Sequence, residues 1–306
     1  MTGRHVGESS ETDGDAGHDH TESATHLRNL LASDRSVVVG AGLVALLAVA
    51  VDASIRLLSN LPFDPVDISP SLRSTVVAGA PLAVGAALLA VALTDDRPTV
   101  RVGLLFASVF GSLGTIVPAA VVPATVAVAG GAGLALLGTL GVPETATYRA
   151  VRRRALAVGF VTAIAVSLAD GIGLLRGAHG IGAVLTLASL TAVGTRAERS
   201  VVAVGTGLLA ALAVVYVSGA SPYVVGSALL VVFAISGVPH VLVAVAVAGG
   251  VAATIAGLLE RSYPLAIGAA LLVLAGIPVA LPRAMTVLLG STLVLLERGS
   301  SAEVSL

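Results

Sequence analysis

The chain has no cysteine and no tryptophan, and all seventeen of its basic residues are arginine, with no lysine. Without cysteine there can be no disulfide framework and no thiol chemistry, and any metal ion would have to be held by histidine and carboxylate. Charge of either sign is scarce. Charged residues are 11% of the 306 positions, whereas about 25% is usual for a soluble domain. That is too little polar surface to cover a water-facing body of this size, so a soluble globular protein is excluded. The net charge of −1 also argues against a nucleic-acid binder, which needs a basic face. What the chain has instead is 56% hydrophobic residues, 35 glycines and long runs without any charge. The composition predicts an all-α polytopic transmembrane helix bundle whose first partner is the lipid bilayer.

The few charges are unevenly distributed. Residues 1–35 hold three arginines and seven acids, so this segment reads as an acidic cytoplasmic tail, disordered over 1–23, with a short juxtamembrane helix over Ala24–Arg35. It has no basic start followed by an apolar core, so it is not a secretory signal. Residues 36–297 form the transmembrane domain and 298–306 a short tail. Arginine without lysine, the acidic tail and the Ala/Val/Gly-rich body together resemble uncharacterised multi-pass membrane proteins of halophilic archaea. The resemblance is compositional, covers the whole chain and assigns no functional residue.

A span needs about 20 apolar residues to cross a hydrocarbon core about 30 Å thick. Ser36–Leu58 and Ser74–Leu93 give the first two. Val102–Val142 runs 41 residues without charge and gives two more, with Pro118 and Pro123 marking the turn. Ala155–Leu175 and Gly177–Thr195 give the fifth and sixth. Ser200–Leu259 runs 60 residues without formal charge and is read as three, with turns at Ser218–Pro222 and Gly237–His240. Pro264–Leu281 is the tenth. Ala284–Leu296, at 13 residues, is short for a crossing and is read as an interfacial or re-entrant helix, with an eleventh span as the alternative. Loops rich in basic residues stay in the cytoplasm. Ten spans with a cytoplasmic N-terminus put thirteen of the seventeen arginines inside, which predicts a multi-pass plasma-membrane protein in that orientation.

Small residues allow close helix contact where lipid supplies little hydrophobic drive. Gly103, Ala107, Gly111 and Thr115 repeat every four residues in the third span, and Gly249, Ala253 and Gly257 in the ninth. The string Val-Ala-Val-Ala-Gly-Gly occurs at 126–131 and 245–250. Two readings stand: coincidence in low-complexity sequence, or a 5+5 inverted repeat of the kind found in transporters.

An ionisable residue inside a span costs roughly 2.5–3.5 kcal/mol on insertion scales, so each needs a reason. Asp52 and Asp170 lie at similar depth, about 9 Å from the outer ends of the first and fifth spans by helical rise. They either line a proton or cation path together, or satisfy themselves locally, Asp52 with Arg56 four residues on and Asp170 with Arg176 or the interface. His240 is a candidate ligand or proton carrier, or simply part of a turn. Arg149, Arg152, Arg153 and Arg154 are candidates for lipid headgroups, at about 1 kcal/mol per charge. His5, His18, Asp19, His20 and His26 would hold a metal only loosely, because nothing fixes their geometry, so no metal site is assigned. Asp95 and Asp96 lack the further spaced aspartates of a membrane prenyltransferase.

No zinc-protease motif, no phosphate-binding glycine loop and no cysteine pair occurs, so neither an enzyme nor a cofactor is expected. Two functions remain. One is a transporter-like permeation protein for a small solute or ion. The other is a non-catalytic scaffold or accessory subunit with a membrane-protein partner or a second copy of itself.

Overall fold

The computed structural model describes residues 18–62, 68–140, 148–195, 197, 200–220 and 225–296. Among them are eleven α-helices and no strand. They are α1 (His18–Ser59), α2 (Pro70–Thr94), α3 (Pro98–Ile116), α4 (Val121–Gly138), α5 (Tyr148–Gly171), α6 (His179–Gly194), α7 (Val201–Ala220), α8 (Ser227–Phe233), α9 (His240–Leu259), α10 (Tyr263–Ala275) and α11 (Leu281–Leu296). Proline opens several of them, at Pro70, Pro98 and Pro264, where its missing N–H is not needed. Ser69 caps α2 by accepting from Leu72 N.

Seven helices are long and apolar enough to cross a membrane: Ser36–Ser59 of α1, α2, α3, the stretch Pro118–Gly138 containing α4, Ala150–Gly171 of α5, Val201–Ser218 of α7, and α9. Three more, α6, α10 and α11, are apolar but shorter. The proline turn after α3 falls where expected, as a single helical turn at Pro118–Ala120. Ala24–Arg35 is helical and continuous with the first span as part of α1. Residues 18–23, expected to be disordered, are helical within α1, whereas residues 1–17 and the tail 298–306 lie outside the described residues.

Two expectations are corrected. The three spans read in Ser200–Leu259 are two helices of span length, α7 and α9, with the seven-residue α8 between them. The turn expected at Gly237–His240 is present, but α8 stops before it. It stops at a Schellman turn, with Ile235 N bonding Leu230 O and Ala234 N bonding Val231 O, and Ala234 in the left-handed region at φ 52°.

The second correction concerns the interfacial reading of Ala284–Leu296, which burial overturns while the re-entrant and eleventh-span readings both stand. Every residue of α11 from Ala284 to Leu295 is buried, and α11 packs against α2, α3, α4, α5 and α10. A helix apolar on all sides belongs in a core, whereas an interfacial helix must keep one apolar face for lipid. The tenth span is likewise shorter than read, ending at Ala275 rather than Leu281.

The stripes of small residues do face other helices. A Cβ on Gly103 would meet Gly131 O at 2.5 Å, and a Cβ on Gly131 would meet Gly103 O at the same distance. Gly111 abuts the Met285 sulfur of α11, and Gly257 abuts Ala266 of α10. Gly268 and Gly290 make a second glycine-on-glycine crossing, which pairs α10 and α11 as an antiparallel hairpin. The two Val-Ala-Val-Ala-Gly-Gly strings lie in α4 and α9 and pack differently. Gly131 meets α3, whereas Gly250 meets Val273 of α10 and Leu190 of α6.

Candidate functional site

The inward face of α1 follows Gly42, Ala45, Val49, Asp52 and Arg56, in steps of three and four residues that return to one side of a helix. Gly42 touches Ile267 and Leu293, and Ala45 and Val49 are buried in the core. Asp52 and Arg56 therefore continue a packing stripe toward the interior. Asp52 lies seven residues before the end of α1, about 10 Å along the axis. Arg56 Nε donates to both carboxylate oxygens of Asp52, at 3.0 and 2.9 Å. Asp52 is 18% exposed and Arg56 35%. An acid four residues before a base is the favourable order on a helix.

A cavity of about 70 Å³ opens beside this pair. Its wall comprises Asp52, Ala53 and Arg56 of α1, Pro81 of α2, Val232 of α8, and Arg283 and Thr286 of α11, among others. Pro81 lies inside α2 and brings no N–H, so the helical donor to Val77 O is missing there. Two chain breaks, the end of α8 and the α10–α11 bend, converge on the wall. The α10–α11 bend is itself buried at Ile277 and Pro278. Gly276, at φ 62°, fits against Phe233 so closely that a Cβ would lie 2.5 Å from Phe233 O. Ile277 N donates to the same carbonyl at 3.1 Å, and Arg283 Nη2 donates to Val232 O at 2.5 Å. The end of α8, whose last carbonyls lack helical donors, is thus closed by the hairpin.

Arg283 is the residue that sequence reasoning missed as part of a site. It was counted only as a charge that sets orientation, because its partner Val232 is 51 residues away. The available signal was its isolation, a lone arginine at the start of a charge-free stretch. Arg283 Nη1 is buried and has no hydrogen-bond partner among the described residues. Arg56 and Asp52 both act on it electrostatically. Two guanidinium groups and one carboxylate make the wall net positive.

Asp170 is not brought into this cavity. Its Oδ1 accepts from Ala178 N at 3.1 Å, fastening the turn from α5 to α6, and Arg176 is exposed. The next residue, Gly171, packs against Val279 O of the α10–α11 bend, so the two aspartates share one end of the bundle but not one site. His240 is exposed at the first turn of α9. Of the arginine cluster, Arg152 Nη2 donates to Ala192 O at 3.0 Å near the end of α6, and Arg153 Nη2 to Leu295 O at 3.1 Å near the end of α11. Arg97 Nη1 similarly reaches Thr139 O, the cap of α4, at 3.3 Å. These cations meet the carbonyls and negative dipole ends of helices. Arg154 is half-buried, and the side chain of Arg149 lies outside the described residues.

Helices of span length packed around a buried central helix, with a charged cavity at one end, define an integral membrane protein. The model of the integral membrane family of unknown function DUF8068 matches residues 38–295, and the chain belongs to that family. No curated protein and no solved structure matches it.

Proposed function

We propose that the protein is a permeation protein for a small solute or ion, without enzymatic activity, and that the cavity bounded by Asp52, Arg56 and Arg283 is its solute site. The observation that carries this reading is the position of that cavity. It lies where α8 and the α10–α11 hairpin break off inside an apolar bundle. Broken helices at membrane depth are tolerated where they are buried in protein or line a cavity, and in many transporters they build the solute site.

In this reading the N-terminus is cytoplasmic, in the plasma membrane, and the cavity faces outward. With α8 not crossing, and α10 and α11 entering from the inner side and turning back at the cavity as a hairpin, Arg261 moves to the inner side and Arg283 toward the outer. Thirteen of seventeen arginines are still inside, the bias expected for cytoplasmic loops. The test is stopped-flow light scattering on liposomes carrying the purified full chain, challenged with glycerol and with potassium formate plus valinomycin. Faster swelling than protein-free liposomes in either solute is expected. Equal rates in both would contradict permeation and turn attention to an accessory-subunit role, read by stoichiometric co-purification with a second membrane protein.

A further inference from the structure

We propose that the cavity binds a small monovalent oxyanion of the carboxylate or nitrate type, held by the Arg56 and Arg283 guanidinium groups, with Asp52 as a built-in competitor. The inference deepens the permeation reading and rests on it for the purpose of the site, although binding itself is measured without flux.

Four observations converge on this class of ligand. First, the charged wall residues are two arginines and one aspartate, a balance that repels cations and leaves one positive charge to be met. Second, both guanidinium groups lie on the wall, and that of Arg56 engages Asp52 through its Nε alone, which leaves its other N–H donors for a ligand. Third, the cavity is bounded by Ala280, Pro282, Arg283 and Thr286 at the N-terminal end of α11, where the helix dipole is positive and favours an anion. Fourth, the volume of about 70 Å³ leaves room for a small solute, since a single water needs only about 10–15 Å³ of such space.

The planar fork of a guanidinium matches two oxygens of one planar anion. The Arg56–Asp52 pair does not use that fork, because one N–H, on Nε, is shared between both oxygens. An incoming anion therefore competes with Asp52 for Arg56 and meets the positive charge of Arg283 on the same wall. Asp52 would then weaken binding through its charge while keeping the cavity near neutrality when no anion is present.

The test is isothermal titration calorimetry of sodium formate and sodium nitrate into the purified full chain in detergent. Saturable binding of at least one is expected. Arg283→Gln is expected to weaken it by roughly tenfold or more, the loss of one charge-assisted hydrogen bond. Asp52→Asn is expected to tighten it, because a competing charge is gone, whereas a cation or proton site at Asp52 would lose its ligand in the same variant. Arg283 also closes α8, so if Arg283→Gln does not fold, Arg56→Gln and Asp52→Asn decide the matter with the same signs. Absence of saturable heat with both anions, or weaker binding in Asp52→Asn, overturns the proposal. Swelling in glycerol without anion binding would remove the anion inference and leave permeation standing. Anion binding without flux in either solute would do the reverse.

Discussion

Asp52 and Asp170 are the same residue type at similar depth, yet their surroundings give them different jobs. Asp52 meets a cation on its own helix and faces the cavity, whereas Asp170 accepts a backbone N–H across a tight turn. An amide oxygen accepts that bond nearly as well as a carboxylate. Asp170→Asn should therefore leave both folded yield and any flux unchanged, while Asp170→Ala should lose about 1–2 kcal/mol of stability, a typical hydrogen-bond contribution, read by thermal unfolding in detergent. Asp52→Asn should change solute binding with little loss of folded protein, read by calorimetry beside the same thermal scan. The i, i+4 spacing made the Asp52–Arg56 pair legible in the sequence. The role of Arg283 was not, because its partners come from α8 and α1 through tertiary contact, and no local spacing encodes them.

The informative elements are the ones that stop early. The end of α8 depends on a left-handed alanine, Ala234, in a position where glycine carries no Cβ penalty of roughly 1–2 kcal/mol. Ala234→Gly should accordingly stabilise the protein by about 1 kcal/mol, seen as a raised unfolding temperature. Gly276 is the opposite case. At φ 62° and ψ −142° it occupies a region essentially reserved for glycine, and a Cβ there would strike Phe233. Gly276→Ala should cost roughly 2–3 kcal/mol from backbone strain and crowding and should separate α8 from the hairpin. Limited proteolysis between α8 and α9 checks this, and unchanged cleavage would count against the described closure. Hydropathy made most helices legible, since each long apolar run between charges or prolines became one or two of them. It placed the breaks in Ser200–Leu259 near Ser218–Pro222 and Gly237–His240, and α9 does begin at His240, but it gave no sign that α8 is only seven residues long, because its end at Ala234 is met by Gly276 and Ile277 through tertiary contact.

For the molecule as a whole, close backbone crossings on small residues hold together helices that lipid does little to drive together. Gly103 sits on Gly131 of α4, whereas Gly130 has open space around it. Gly103→Leu should abolish folded protein in the membrane and Gly130→Leu should not, as judged by size-exclusion profiles of detergent extracts. The sequence showed such stripes but not which helix lay at the centre. The short α11 was the least promising candidate by length and became the core because no face of it carries charge beyond Arg283. The central claim is that a charged, water-reached cavity lies within this apolar bundle, and the absence of native cysteine allows a direct measurement. Single cysteines at Ala53 and Ala280 on the cavity wall, and at Ala107 and Ala132 in the packed core, would be challenged in intact cells with a membrane-impermeant thiol reagent. The account predicts labelling at 53 and 280 and protection at 107 and 132. Protection at all four positions would contradict it.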